Sequence, residues 1–166
     1  LYLYNSLAYV YAYVALAKLG AVAVPIDTRF TGETLSYVLS EADANVVFVD
    51  GETRAEYEAV RESAPTQAAE YYVGDDAAGR HYRPFDDLLD GDAASPPDVA
   101  VSETDPLSIT YVQQSATERP SGIVLPHFSY VNTGWEAGRN LFEFSAEDRL
   151  FTTLPVYSAF TTQIGI

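Results

Sequence analysis

The sequence predicts an α/β fold, in which a layered sheet of parallel type is covered by flanking helices. Short apolar runs alternate with helical patterns along the first half of the chain, as they do in repeated strand–helix units. Hydrophobic residues make up 48% of the 166 residues, which is enough for a packed core. The length suits one domain or part of a larger one.

The first predicted element is a helix over residues 7–19. Asn5 and Ser6 are candidate N-caps, and Gly20 is a candidate stop. Because this helix is apolar nearly all round, we expect it to be buried on several sides. We also expect core packing for its tyrosines at 9, 11 and 13 and for Trp135.

Further strands and helices alternate up to residue 89. In chain order they are predicted as a strand at 21–24 ended by Pro25, a helix at 31–42, a strand at 45–50, a helix at 53–63, a strand at 69–73 and a short helix at 85–89. Leu35, Val38 and Leu39 share one face of the second helix, and Tyr57 and Val60 are expected to point inward from the third.

The stretch 92–105 carries Asp, Ala, Ser and a Pro-Pro pair, a composition typical of a linker. It divides the chain into a first α/β subregion at 1–91 and a second subregion at 106–166. In the second subregion the pattern predicts strands at 107–112, 122–125 and 149–154, and a helix at 128–141.

The chain is strongly acidic, with 24 Asp and Glu against 9 Lys and Arg and a formal net charge of −15. This charge argues against nucleic acid and against an anionic membrane surface as partners, because both are bound by cations. It fits a halophilic protein that works in high salt, and an ordinary acidic protein is the alternative. The absence of cysteine excludes disulfides and thiolate chemistry.

The apolar run at 7–19 is too short to span a bilayer, and it contains Lys18. It has neither a basic flank nor a cleavage site, so we expect a cytoplasmic protein without a signal peptide. The chain starts without Met and stops within an apolar run, so we expect both ends to be cut from a longer protein.

The polar loop at 113–122 lies between two apolar β-type runs and is the most informative stretch. Its hydroxyl groups and backbone N–H groups could cradle a phosphate. It is not a Walker A loop, because GxxxxGK[ST] is absent. From the residues alone, an ordinary turn is the simpler interpretation.

Other polar residues have structural interpretations. His127 at a strand end is expected to be a hydrogen-bonding residue. His81 with Arg80 and Arg83 is expected to form a solvated loop rather than an anion site. Three aspartates at 86, 87 and 90 are expected to form an acidic surface, and no metal site is predicted. No Ser-His-Asp or paired-carboxylate arrangement can be assembled, so the catalytic residues are unknown.

Several segments resemble a known family in order and spacing. The segment 120–127, PSGIVLPH, resembles the PKGVxxSH end of the phosphate-loop signature of the AMP-forming synthetases, and 114–119, QSATER, stands in place of its SGTTGx part. This family comprises acyl-CoA synthetases, aryl-CoA ligases, luciferases and nonribosomal adenylation domains. Four further segments resemble its motifs: NS at 5–6 with ALAKLGAVAVPI at 15–26, ETLSYVL at 33–39, ADANVVFV at 42–49, and LPVYS at 154–158.

The phosphate loop departs from the family pattern. Ser115 stands where the family has a glycine that permits close approach to phosphate. Ala116 replaces a threonine, Glu118 replaces a second glycine and adds a negative charge, and Ser121 replaces the lysine. Outside the loop, the histidine of the family's LPlfH segment is Ser158. The resemblance therefore describes a degenerate phosphate-loop subregion at 106–166.

The resemblance implies that 1–166 is part of the large N-terminal domain of an AMP-dependent acyl-CoA synthetase. That family uses ATP, Mg²⁺ and coenzyme A to activate a small carboxylic acid. Carried over residue by residue, the nucleotide-binding positions are Ser115, Thr117, Ser121 and Gly122. Two alternatives remain: a non-catalytic remnant or binding module of the same fold, and an unrelated α/β domain in which the loop is only a turn.

Overall fold

The computed structural model describes the fold over residues 1–64, 68–75, 81–91, 95, 97–115 and 118–164. Helices and strands alternate over much of this length, and a parallel sheet is present, which confirms the predicted α/β class. The elements in chain order are α1 (Leu7–Lys18), α2 (Gly32–Glu41), β1 (Val46–Asp50), α3 (Arg54–Val60), β2 (Ala69–Val73), β3 (Arg83–Pro84), β4 (Pro106–Val112), β5 (Ser121–Pro126), α4 (His127–Trp135) and α5 (Ala159–Ile164). Single 3-10 turns follow α3 and β3.

The parallel sheet has the strand order β1-β2-β3. Its β1–β2 register runs from Val46 opposite Ala69 to Asp50 opposite Val73. Parallel neighbours need a crossover connection, and α3 lies within the one between β1 and β2.

Two clusters of buried side chains lie on opposite faces of β1. Val47 and Val49 belong to the cluster under α2 and α3, and Phe48 belongs to the cluster under α1. This follows from the alternation of side chains along a strand. The first cluster includes the predicted inward residues of α2 and α3, namely Leu35, Val38, Leu39, Tyr57 and Val60. The sheet is therefore packed between helices, as a layered α/β fold requires.

Helix α1 begins at the predicted residue and ends at Lys18, one residue before the predicted end, but the expectation of burial on several sides was wrong. Tyr9 and Tyr13 are buried, whereas Leu7 is 71% exposed and Tyr11 is 51% exposed. Apolar residues all round a helix need cover on every side, and the described part of the chain covers only one face. Trp135 was likewise expected in the core and is 58% exposed, with the Arg139 guanidinium 4.8 Å from its ring centroid.

Strands β4 and β5 form an antiparallel hairpin rather than part of the parallel sheet. A connection as short as 113–120 cannot make the crossover that parallel pairing needs. The predicted strand at 21–24 is reduced to a single parallel bridge between Ala23 and Ser108. Ala23 donates to the Leu107 carbonyl at 2.9 Å and accepts from the Ile109 N–H at 2.9 Å, which joins the hairpin to the first half of the chain.

The predicted strand at 149–154 is irregular in the structure. Phe151 is 87% exposed and Leu150 is 54% exposed. A strand needs a neighbour that accepts its backbone hydrogen bonds, and no neighbouring strand lies beside this segment among the described residues. The apolar pattern of this segment alone was therefore not sufficient to form a strand.

The helix predicted at 128–141 is present as α4, which continues into a π-helical turn over Glu136–Leu141. Within the described ranges, no helix combines the length and the apolar character needed to cross a membrane.

Candidate functional site

The polar loop closes the β4–β5 hairpin. The Gln113 side-chain amide donates to the Glu118 carbonyl at 2.7 Å, and the Glu118 N–H donates to the Ser115 carbonyl at 3.2 Å. In the ladder Val112 faces Ser121, and Tyr111 faces Gly122. Ser115 is therefore on the loop, whereas Ser121 and Gly122 are already on strand β5. Thr117 and Ala116 lie outside the described residues.

Gly122 has a packing reason for being glycine. A Cβ at this position would lie 3.0 Å from Ile109 Cγ2 and 3.3 Å from Tyr111 Cζ. The hairpin partner thus leaves almost no room for a side chain, which explains this glycine without a bound phosphate.

A cavity of about 1000 Å³ opens beside the loop. Three segments of the chain form its walls: the stretch after Pro25, the end of β4 with the start of the loop, and Pro155–Phe160. Ser115 and Ser158 both line it, although they are 43 positions apart in the sequence. The structure thus brings one predicted site residue to the cavity, while Ser121 and Gly122 are not among its lining residues.

Sequence reasoning missed the charged group on this cavity, formed by Asp27, Arg29 and Tyr157. Asp27 is 9% exposed and is held by the Arg29 guanidinium at 2.6 Å and by the Arg29 backbone N–H at 2.9 Å. Burial alone would raise the pKa of Asp27, but the hydrogen bonds from Arg29 and Tyr157 outweigh it and lower that pKa. The signal for this group in the sequence was an acidic residue followed two positions later by a basic one, directly after an apolar run and Pro25.

In this arrangement the Arg29 guanidinium is paired with Asp27 and remains exposed to solvent at the cavity. The Arg29 side chain is 82% exposed, whereas the side chain of its partner Asp27 is only 11% exposed. The Tyr157 hydroxyl shares the same carboxylate, and burial followed by this hydrogen bond raises its pKa, so Tyr157 stays protonated. The cavity therefore offers a guanidinium and two serine hydroxyls, which are donors for carboxylate or phosphate oxygens.

The wall of the cavity formed by β4 is tied to α2. Tyr111 lines the cavity, and its hydroxyl donates to the Glu41 carboxylate. Arg119, at the end of the loop, lies with its guanidinium 5.1 Å from the ring centroid of Tyr37 on α2. Arg119 is therefore committed to an aromatic face and does not replace the missing loop lysine inside the cavity.

The described residues do not fit a protein-held metal ion. They contain no group of three or more His, Asp or Glu side chains placed to hold one. Asp27, the carboxylate on the cavity, is bound to Arg29. We therefore assign none of the described residues to Mg²⁺.

The other candidates from the sequence have local partners. His81 Nε2 lies 3.0 Å from a Glu58 carboxylate oxygen, and its ring lies 4.3 Å from that of Tyr82. Arg80 lies outside the described residues. The three aspartates at 86, 87 and 90 are exposed.

The chain is similar to known proteins in both sequence and fold. The sequence profile of a family described as "AMP-binding enzyme" matches residues 1–165. The long-chain-fatty-acid–CoA ligase FadD13 of Mycobacterium tuberculosis is 31% identical over 163 residues, covering 96% of this chain and 31% of that protein. The indoleacetate–CoA ligase of Aromatoleum aromaticum is 32% identical over 158 residues, covering 93% of this chain and 29% of that protein.

Solved structures agree with this relationship. The anthranilate CoA ligase AuaEII in complex with anthranoyl-AMP superposes with a TM-score of 0.84 at 25% identity, covering 97% of this chain and 31% of that chain. A Mycobacterium tuberculosis fatty acyl CoA synthetase superposes with a TM-score of 0.77 at 28% identity, covering 97% of this chain and 30% of that chain. The chain spans about a third of the length of the relatives that it matches.

Proposed function

Since the chain belongs to the family of AMP-binding enzymes, we propose that it forms part of the adenylate-forming domain of an acyl-CoA ligase. In that reaction a carboxylate oxygen attacks the α-phosphorus of ATP, and pyrophosphate leaves. A thiol sulfur then attacks the acyl carbon, and AMP leaves. The cavity beside the loop is the part of this chain that would face these reactants.

One observation carries the proposal. Ser115 from the loop, Ser158 from the distant segment Pro155–Phe160, and Arg29 line one cavity. Each is a donor suited to an anionic oxygen, and the Arg29 guanidinium is held in place by the buried Asp27. Relatives named as ligases of long-chain fatty acids and of indoleacetate support a carboxylic acid as the substrate class.

The same loop supports a second candidate, a non-catalytic remnant or binding module of this fold. Ser121 removes the positive charge that the family loop carries, and Glu118 adds a negative one. Preorganised charge at the reacting phosphate is usually the largest catalytic contribution, and this loop supplies little of it. We therefore propose that this chain binds Mg²⁺–ATP weakly and does not form acyl-adenylate by itself.

Titration of the 166-residue chain with Mg²⁺–ATP in molar KCl, followed by calorimetry and amide NMR, tests the site. We expect a Kd weaker than about 10 μM, equivalent to roughly −7 kcal/mol, with shifts at Arg29, Ser115 and Ser158. Arg29→Gln should weaken binding further, whereas Arg83→Gln on the exposed strand β3 should not. Shifts confined to another surface would contradict the proposed site, and tighter binding would show that the altered loop is competent.

Pyrophosphate exchange over short, medium, long and aromatic acids tests whether the chain alone is catalytic. We expect no exchange from the chain alone. Robust exchange would establish that this chain holds a complete catalytic site and would exclude the non-catalytic alternative.

A further inference from the structure

The side-chain amide of Asn5 holds a segment that lies 149 to 151 positions further along the chain. Its Nδ2 atom donates to the Leu154 carbonyl at 3.0 Å, and its Oδ1 atom accepts from the Val156 N–H at 2.9 Å. An amide carries both a donor and an acceptor, so one side chain pairs with the two backbone groups on either side of Pro155. Asn5 thus gives this irregular segment two hydrogen bonds of the kind that a neighbouring strand would give.

Asn5 is itself held in place through its neighbours in the chain. The Tyr4 N–H donates to the Asp50 carboxylate at 2.7 Å, at the end of β1. On the other side, the Ser6 hydroxyl caps α1, so of the two candidate N-caps it is Ser6 that makes the cap hydrogen bond. The amide of Asn5 is therefore presented to the distant segment from a point between the parallel sheet and α1.

The segment that Asn5 holds is one wall of the cavity beside the loop. Pro155, Tyr157 and Ser158 line that cavity, and Val156 between them is 8% exposed and packs in the core cluster under α1. The Ser158 N–H donates to the Pro155 carbonyl at 3.1 Å, which is a local contact. The hydrogen bonds from Asn5, in contrast, join the backbone of this wall to a distant part of the chain.

A second tether joins the same wall to Asp27. The Tyr157 hydroxyl donates to the Asp27 carboxylate, which the Arg29 guanidinium also holds. Asn5 fixes the backbone just before Tyr157, and Asp27 fixes the Tyr157 side chain. Ser158 follows directly and lines the cavity with Arg29, so the place of Ser158 relative to that guanidinium depends on Asn5.

We propose that Asn5 is a positioning residue of this cavity, which holds the wall at 154–158 so that Ser158 and Arg29 can meet one anionic ligand. Asn5 is not among the lining residues, so it acts through the backbone that it holds. This role rests on the proposed function for the ligand, Mg²⁺–ATP, but not for the contacts. It also gives a reason why the segments NS at 5–6 and LPVYS at 154–158, both singled out in the sequence, meet in the fold.

Amide NMR of the full chain without ligand tests the positioning. Asn5→Ala removes both bonds, so we expect the Val156 amide proton to exchange about tenfold faster and the signals of Ser158 and of the Arg29 Nε–H to shift. Asn5→Asp keeps the acceptor for the Val156 N–H and loses the donor at neutral pH, so it should retain most of the protection at Val156. Ser6→Ala removes the neighbouring N-cap instead and should leave the Ser158 and Arg29 signals in place.

Titration of the folded variants with Mg²⁺–ATP in molar KCl tests the consequence for binding. When the competent arrangement of a site becomes a minority conformation, the apparent Kd rises in proportion, and we expect a rise of about tenfold in Asn5→Ala. Ser6→Ala also loses stability and should bind as the parent protein does. Melting temperatures measured in parallel establish that each variant is folded at the temperature of the titration.

The role of Asn5 and the proposed function are tested separately by these measurements. Shifted Ser158 and Arg29 signals in Asn5→Ala, without Mg²⁺–ATP binding by the parent protein, would contradict the proposed function and support the positioning by Asn5. Unchanged signals at Ser158 and Arg29, or equal affinities of Asn5→Ala and the parent protein, would overturn the positioning role and leave the proposed function standing. Equal losses of affinity in Asn5→Ala and Ser6→Ala would overturn it as well, because stability alone would then explain them.

Discussion

At the scale of single residues, Glu70 shows how one buried carboxylate joins two elements. It lies on β2 and is buried, and it accepts from the Tyr57 hydroxyl at 2.5 Å. Arg61, just after α3, donates to both of its oxygens at 2.7 and 2.8 Å. Burial alone would raise the pKa of Glu70, but the bonds from Arg61 and Tyr57 outweigh it and lower that pKa.

Glu70→Gln should therefore destabilise the protein by about 1–3 kcal/mol at pH 7, because the bidentate pair with Arg61 is lost. Since the folded pKa is the lower one, the contribution of Glu70 is present above the ordinary value of 4.5 and is lost as pH falls through the folded pKa. Urea unfolding from pH 7 to pH 3 should show the two proteins converging on acidification. Glu62→Gln, at an exposed position, serves as the control, and a difference that grew at low pH would contradict this assignment.

The loop substitutions allow a second prediction at this scale. Ser121→Lys combined with Glu118→Gly should raise Mg²⁺–ATP affinity, since the change adds one cation and removes one anion at the loop. The double variant should still not form acyl-adenylate. Calorimetry measures the affinity, and pyrophosphate exchange measures the turnover.

The pair Ser95→Lys with Glu52→Gly makes the same net charge change at exposed positions away from the loop. An equal gain in that control pair would mean that the overall charge, and not the loop, governs nucleotide binding.

At the scale of elements, α1 is delimited by its two ends. Ser6 has an extended backbone, and its hydroxyl accepts from the Tyr9 N–H at 3.2 Å. Gly20 follows the helix with a φ of +66°, a conformation that a side chain would strain. These local interactions explain why the bounds of this helix could be predicted although its exposure could not.

Ser6→Ala should destabilise the protein by about 1 kcal/mol and lower the melting temperature by about 2–4 °C, because an N-cap hydrogen bond is lost. Ser40→Ala, on the exposed side of α2, is the control and should have little effect. Circular dichroism melts in molar KCl give the comparison. Equal melting temperatures for the two variants would show that Ser6 does not cap the helix.

The linker predicted at 92–105, which divides the chain into two subregions, belongs to the same scale and stays a prediction. Val99 and Val101 from this stretch line a cavity together with residues of α1 and α4. Ala23 forms a parallel β-bridge with Ser108 on β4. The subregions at 1–91 and 106–166 are thus in contact.

At the scale of the whole molecule, the charge of −15 is the dominant property. Like charges repel one another in the folded state, and salt reduces that repulsion as the Debye length falls from about 10 Å at 0.1 M to about 3 Å at 1 M. The ion pairs among the described residues are few, so screening should relieve more repulsion than attraction.

The melting temperature should therefore rise as KCl increases toward molar concentrations. A variant that carries Asp86→Asn, Asp87→Asn and Asp90→Asn removes three exposed negative charges and should show a smaller rise. Thermal melts across a salt series measure both. A flat or falling melting temperature in the parent protein would contradict the halophilic interpretation.

The sequence by itself determined the α/β class, the bounds of α1 and the buried faces of α2 and α3, because caps and periodicity act over a few neighbouring residues. It also identified the family, through motifs that lie in order along the chain. Only the tertiary structure decided that 149–154 is not a strand and that β4 and β5 pair antiparallel, because pairing depends on what lies beside a segment. It alone placed Asp27 and Tyr157 on the cavity with Ser115, since no local rule states which distant segments meet around an opening.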